Sequence, residues 1–407
     1  MEHVIIGSGP AGVTAAETLR KYEPDASVTL IGAEPGPPYC RMAIPYYLAG
    51  NIAESGTFFR QQDGHYEKLG IRRLEGSVKA INTAKRSLSL AGGESVSFDR
   101  MLIATGSRPS MLPVDGMDTP GVHACWTLAD ARNIADRVRD GGRVVLIGAG
   151  FVACIIMQAL VKRGADLTLV TGSSGRMVRS MMDPTAGGLI MRWCEDKGVR
   201  IISGCRVDGF EDGPVVHLNN GEALEADLIV VAAGVRPNSE FAAEAGIAAE
   251  DGIDVDEYLQ TNVEGVFAAG DVARGPDFST RTRSVHAIQP TATEHGKIAA
   301  MNMTGREVAY RGSLGMNVLD SMGLISTSFG QWQGNGDGSV VLDEERYRYM
   351  NLQFAEDRLI GVNSVGLTEN IGALRGLIQN RVRLGVWKER LTANPFRFME
   401  AFVALNA

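Results

Sequence analysis

Two stretches of this chain share one pattern: an unbroken apolar run, a glycine turn, then a segment of helical period rich in small residues. The first is Val4-Ile5-Ile6 followed by Gly7-Ser8-Gly9-Pro10-Ala11-Gly12. The second is Val144-Val145-Leu146-Ile147 followed by Gly148-Ala149-Gly150-Phe151-Val152-Ala153. Short apolar runs that end at glycine predict strands buried on both faces, as in parallel sheets. Helices are predicted over 10–21 and 151–163. Ala11, Ala15 and Ala16 give the first a face for close packing, and the second is almost wholly apolar before Lys162, so it is expected to be buried on most sides. A further strand over 27–32 leads to Glu34, and the proline-rich 35–41 is a loop.

The pattern repeats downstream. Residues 100–109 and 226–238 are apolar strands broken by glycine (Ala104-Thr105-Gly106, Ala233-Gly234-Val235) and stopped by Pro109 and Pro237, with a crossover over 109–121. The strand before Gly270 delivers Asp271 at its carboxyl end, where ligands of open α/β sheets bind. Thr291-Ala292-Thr293-Glu294 fits a capping box for a helix that Gly305 can end. From Tyr310 the pattern changes. Strands over 339–343, 346–354 and 359–365, a turn at Glu356-Asp357, and helices over 371–382 and 394–404 predict an α+β unit.

Each glycine turn matches a dinucleotide-binding fingerprint. The first glycine permits the tight turn, the second lets the backbone approach a pyrophosphate, and the third small residue lets the helix pack on its strand with its N-terminus toward the phosphates. Glu34 follows the turn by the interval at which a carboxylate accepts hydrogen bonds from an adenosine ribose. Two such sites in one chain imply two dinucleotides exchanging electrons.

Composition narrows the rest. The chain has 407 residues, 44% hydrophobic and 22% charged, with a net charge of −8, which argues against nucleic acid as a partner. No apolar run is long enough to span a membrane. The first strand begins by His3, so no targeting segment is expected, and a cytoplasmic location is the expectation. Cys40, Cys125, Cys154, Cys194 and Cys205 have no metal or redox-pair spacing and read as free thiols, with no metal site.

In this order, Gly7–Gly12, Ala104-Thr105-Gly106, Gly148–Ala153, residues 233–238 and Val266–Val272 resemble the pyridine nucleotide-disulfide oxidoreductase superfamily across the whole chain. The likeness is to its NADH:rubredoxin and ferredoxin reductase branch and to the flavin domain of nitrite reductases. It implies an α/β fold with two Rossmann-like domains, the NAD domain inserted in the FAD domain, and a C-terminal α+β domain. The expected boundaries are 1–112 and 239–308 for FAD, 113–238 for NAD(P), and 309–407 for the last. By position, Gly7, Gly9, Pro10, Ala11 and Gly12 would hold the FAD pyrophosphate and Glu34 the ribose. Arg41, Ala104, Thr105, Gly106 and Gly270 would line the cavity, and Asp271 would bind the ribityl chain. The helix beginning near Thr291 would point its N-terminus at the flavin. Gly148, Gly150, Phe151 and Val152 would receive the NAD(P) pyrophosphate, and Gly234 and Val235 would flank the nicotinamide arm.

Four positions depart from the family. The cysteine pair of disulfide reductases is absent, leaving Cys40 alone. Where single-thiol relatives place their cysteine, three residues before Pro45-Tyr46-Tyr47, stands Met42, so thiol cycling is disfavoured. Ile155 replaces a glutamate near the nicotinamide. Thr171 is neither the acid that favours NADH nor the arginine that favours NADPH, though Arg176 and Arg179 lie nearby; the sequence leaves the choice open, with NADH favoured.

The expected activity is FAD-dependent exchange of electrons between NAD(P)H and a one-electron carrier: rubredoxin, ferredoxin or an iron–sulfur subunit. FAD takes a hydride and releases electrons singly. Alternatives are a flavin subunit of a larger complex reducing NAD+, an NADH oxidase, and a redox-responsive interaction protein. A homodimer or a complex would form through the C-terminal domain. Arg375, Arg381, Arg383, Lys388, Arg390 and Arg397 form either a docking patch for an acidic carrier or a solvated face. Phe329 and Trp332 cover the flavin or belong to the core, and His286 and His295 are catalytic acids or satisfied polar groups.

Overall fold

The computed structural model describes residues 1–406, which divide into two units. The first comprises 1–47, 52–108 and 235–313, and the second 48–51, 109–234 and the described residues from 314 onward.

In the first unit the apolar run becomes the strand Glu2–Ile6, the middle of a parallel sheet ordered Val266–Ala268, Arg100–Ile103, Glu2–Ile6, Ser27–Gly32, Ile71–Glu75. Ile5, Leu102 and Ile103 have no exposure, because both faces are covered. The helix Pro10–Tyr22 packs on the helix Gln289–Met303 at backbone distance: a Cβ at Gly296 would stand 2.2 Å from the Ala11 carbonyl oxygen. A three-stranded antiparallel insert, Val78–Asn82, Ser87–Leu90 and Ser95–Ser97, precedes the strand Arg100–Ile103.

The second unit repeats this plan. Its parallel sheet is ordered Arg200–Ile202, Asp166–Val170, Arg143–Ile147, Leu228–Val231, Val122–Ala124, and its own insert is Val207–Glu211, Val215–Leu218 and Ala223–Glu225. The same unit holds an antiparallel sheet ordered Met316–Ser321, Leu324–Gly330, Arg358–Val365, Arg348–Ala355, Gly338–Asp343, followed by helices Gly372–Gln379, Val386–Ala393 and Phe398–Asn406. Among the described residues, no helix is long and apolar enough to cross a membrane.

One expectation needs correction, and two open alternatives are decided. The helix expected from Thr291 starts at Gln289 with Pro290 in its first turn and Ile288 as an N-cap lacking any side-chain bond, so the Thr291–Glu294 capping box does not form. Proline at that place is already set for helix, and it moves the start upstream. Gly305 does follow the end, in a left-handed conformation (φ +80). Phe329 lies inside the strand Leu324–Gly330, 4% exposed, and is a core residue of that sheet.

His295, on the helix Gln289–Met303, is 2% exposed, accepts the Gly270 N–H at Nδ1 (3.3 Å) and stands edge-on to Tyr310. Burial pushes its pKa down to about 3. It therefore stays neutral and is a poor proton donor, which removes it as a catalytic acid. The folded pKa lies below the unfolded one, so between about pH 6.5 and 3 the unfolded chain binds more protons, and stability falls as pH drops through that window. The expected slope is about 1.4 kcal/mol per pH unit from this residue. Chemical denaturation of His295→Gln and the wild type at pH 7 and pH 5 checks it: the variant should lose less stability on acidification.

Candidate nucleotide sites

At the carboxyl end of the first sheet, Gly7 turns the chain with φ +113, and its N–H bonds the Ile31 carbonyl at 2.7 Å. A Cβ there would stand 2.1 Å from the Ala104 carbonyl oxygen, and one at Gly12 would stand 1.8 Å from the Gly7 oxygen. Gly9 is the opposite case. A Cβ on it would meet nothing within 4 Å, so the turn opens onto free space. The helix beginning at Pro10 has no side-chain cap, which leaves the Ala11 and Gly12 amides without intrahelical partners. A cradle of bare amides with the positive end of a helix behind it suits a pyrophosphate.

The second turn reproduces this. Gly148 has φ +110, its N–H bonds the Val170 carbonyl at 2.9 Å, and its Cβ would lie 2.3 Å from the Ala232 oxygen. Gly150 again faces open space, and the helix Phe151–Lys162 again lacks a side-chain cap, leaving the amides of Phe151 and Val152 free of intrahelical bonds.

The remaining first-unit residues gather around the first turn. Glu34, two residues past the strand Ser27–Gly32, is gripped by Arg41 Nη2 (2.6 Å) and Tyr39 Oη (2.5 Å). Ala104, Thr105 and Gly106 follow the strand Arg100–Ile103. Thr105 Oγ1 donates to the Asn238 carbonyl, and the Asn238 side chain donates to the Thr105 carbonyl, each at 2.9 Å. Gly270 packs against Ala11 and Ala292. Asp271 accepts a hydrogen bond from Ser107 Oγ at 2.8 Å. Burial raises its pKa above the ordinary carboxylate value, against that hydrogen bond and the charge of Arg41. Thr291 is buried in the first turn of the uncapped helix Gln289–Met303. Gly234 (φ +114) and Val235 sit where the chain passes from the second unit to the first.

Residues 1–296 match the pyridine nucleotide-disulphide oxidoreductase family. The chain belongs to it. It is an FAD- and NAD(P)H-dependent oxidoreductase of α/β fold. It is similar to the NADH-dependent phenylglyoxylate dehydrogenase subunit epsilon of Aromatoleum evansii, at 32% identity over 97% of this chain and 95% of that protein. It is also similar to rhodocoxin reductase of Rhodococcus erythropolis, at 32% over 76% and 74%. Among solved structures, the covalent putidaredoxin reductase–putidaredoxin complex aligns at a TM-score of 0.92 with 25% identity, covering 100% of this chain and 99% of that one.

The family's thiol chemistry has little to work with here. All five cysteines are free; Cys125, Cys154 and Cys194 are buried, and burial pushes each thiol up, Cys125 and Cys194 to about 12. Cys40 is half-buried and donates to Gln289 Oε1 at 2.9 Å. Cys40→Ser keeps a donor at that position, so steady-state turnover with an artificial acceptor should stay within about twofold of the wild type; a collapse would put the sulfur in the chemistry.

His286 pairs with Asp277 at 2.8 Å, and burial-opposing hydrogen bonds from His286, Thr280 and Ser284 hold the Asp277 carboxyl well below its usual range. The C-terminal basic cluster is partly spent: Lys388 pairs with Asp337 and Arg397 with Glu400, and Arg390 lies over the Trp387 ring. Arg381 and Arg383 are exposed. Thr171 carries no charge, and its hydroxyl is engaged by the Gly204 N–H at 3.2 Å. Sequence reasoning missed Tyr39 and Asn238, which hold Glu34 and the Thr105 turn. The only signal was their place in the loop and in the repeated strand–turn element.

Proposed function

We propose that this chain passes electrons between NAD(P)H and a one-electron protein carrier of rubredoxin or iron–sulfur type, with FAD resident in the first unit and NAD(P)H bound by the second. The observation that carries the reading is the twice-built cradle, in which Gly9 and Gly150, unlike Gly7, Gly12 and Gly148, would have no atom within 4 Å of an added Cβ. When bound, FAD supplies the conversion between a hydride and single electrons. The chain's own residues bind and orient. Gly7, Gly9, Pro10, Ala11 and Gly12 would hold the FAD pyrophosphate. Glu34 would exchange its bonds from Arg41 and Tyr39 for ribose hydroxyls, and Asp271 would accept from the ribityl chain. The uncapped first turn of the helix Gln289–Met303, with Thr291, would favour negative charge on the bound group. Gly148, Gly150, Phe151 and Val152 would hold NAD(P)H, with Gly234 and Val235 at the nicotinamide end.

Two relatives are named for reducing small redox proteins, rhodocoxin and putidaredoxin, which supports the carrier class. Anaerobic reduction of a purified rubredoxin or [2Fe–2S] ferredoxin by NADH through this protein tests it. Rapid oxygen uptake with no carrier reduction would replace it with an oxidase. A second reading has its own support: the phenylglyoxylate dehydrogenase relative, similar over nearly its full length, is a subunit. Co-purification of iron–sulfur subunits from the native source would favour that reading.

A further inference from the structure

The loop over 175–183, the latter part of the link from the strand Asp166–Val170 to the helix Pro184–Asp196, is held from two sides. On one side the Val178 N–H donates to the Ala149 carbonyl, inside the glycine turn, at 2.7 Å. Val178 has no exposure and φ +50, a left-handed conformation that a β-branched residue keeps only when its surroundings enforce it. On the other side stands the antiparallel sheet of the same unit. Asn363, in the middle of the strand Arg358–Val365 and fully buried, uses both ends of its amide on this loop: Nδ2 donates to the Met181 carbonyl at 2.9 Å, and Oδ1 accepts the Asp183 N–H at 2.8 Å. Tyr349 Oη (2.7 Å) and Asn351 Nδ2 (3.0 Å) donate to Asp183 Oδ2, while Asp183 Oδ1 caps the helix by accepting the Ala186 N–H. A fully buried amide is costly unless both its ends are satisfied, and here its partners are main-chain groups about 180 residues away.

We propose that Asn363 is a positioning residue for the pyridine nucleotide. It clamps the 175–183 loop so that Val178 stays pressed against Ala149, keeping the Gly148–Gly150 turn shaped for the dinucleotide's phosphates. The C-terminal sheet thereby sets nucleotide affinity without touching the nucleotide. This rests on the reading that the second unit binds NAD(P)H.

The test is Asn363→Ala in the full FAD-loaded protein, with NADH and NADPH affinity measured by titration and steady-state kinetics measured with ferricyanide. The expected result is a Kd and KM for the preferred nucleotide raised roughly tenfold, with kcat at saturation within about twofold and the bound flavin retained. Trp193→Phe is the control. It removes another hydrogen bond to the same sheet, Nε1 to the Met322 carbonyl at 3.2 Å, and leaves the loop alone; its KM should not move. Should Asn363→Ala fail to fold, Tyr349→Phe removes one bond to Asp183 and should raise KM by a smaller factor. Equal KM rises in the Trp193 and Asn363 variants, or an unchanged KM in a destabilised Asn363 variant, would overturn the proposal. If the wild type itself binds neither nucleotide, the parent reading fails instead.

Discussion

Gly9→Val should yield a folded, soluble, colourless protein. The backbone at Gly9 (φ −77, ψ −170) is one that valine adopts freely, and a Cβ there meets no neighbour, so the apo chain has no reason to resist the change. The space the side chain enters is the mouth of the amide cradle, where a pyrophosphate must approach the backbone to within hydrogen-bond distance. Losing several charge-assisted hydrogen bonds at about 1.5–3 kcal/mol each amounts to a fall in FAD affinity of at least about a hundredfold. The measurement is flavin content per protein after gel filtration, with circular dichroism showing the wild-type fold. Gly12→Ala separates exclusion from collapse: its Cβ would lie 1.8 Å from the Gly7 oxygen, so it should lose both flavin and stability.

Gly150→Val should give the complementary phenotype, a yellow protein that its donor no longer reduces. Gly150 is also extended (φ −83, ψ −174) with nothing within 4 Å of its Cβ, so the second unit folds while its phosphate site is filled. FAD content should match the wild type, and kcat/KM for NAD(P)H should fall by roughly a hundredfold or more. Dithionite should still bleach the flavin. If instead both variants lost flavin, or both kept it and reacted normally, the division of labour between the two turns would be wrong.

Much of this was legible in the sequence because it is local. Gly7 and Gly148 occupy positive-φ turns against a neighbouring strand end, so the residue type and the geometry imply each other. Asp271 and Glu34 stand just past strand ends, where side chains reach the crevice. The repeat of Ala104–Pro109 in Ala232–Pro237 reflects a repeated fold, down to matched bonds from Ala104 N to the Ile6 carbonyl and from Ala232 N to the Ile147 carbonyl.

The misses are equally physical. The hairpin joining Met316–Ser321 to Leu324–Gly330 turns on Met322 (φ +53) and Gly323 (φ +92), and methionine is no signal for a left-handed turn residue. The helix Val386–Ala393 carries no apolar stripe to betray it, since Leu391 is its one buried residue. Nothing in the sequence around Asn363 marks its partners, and only tertiary packing supplies Met181 and Asp183. The grip of Arg41 and Tyr39 on Glu34 likewise appears only when the loop folds back.

Anaerobic titration of the purified protein with NADH and then NADPH, followed by absorption, reaches the central claim most directly. The expected result is a yellow protein whose flavin band bleaches with about one equivalent of at least one nucleotide, because a hydride carries two electrons. A protein colourless even after incubation with FAD, or one that stays yellow with both nucleotides while dithionite reduces it, would contradict the account.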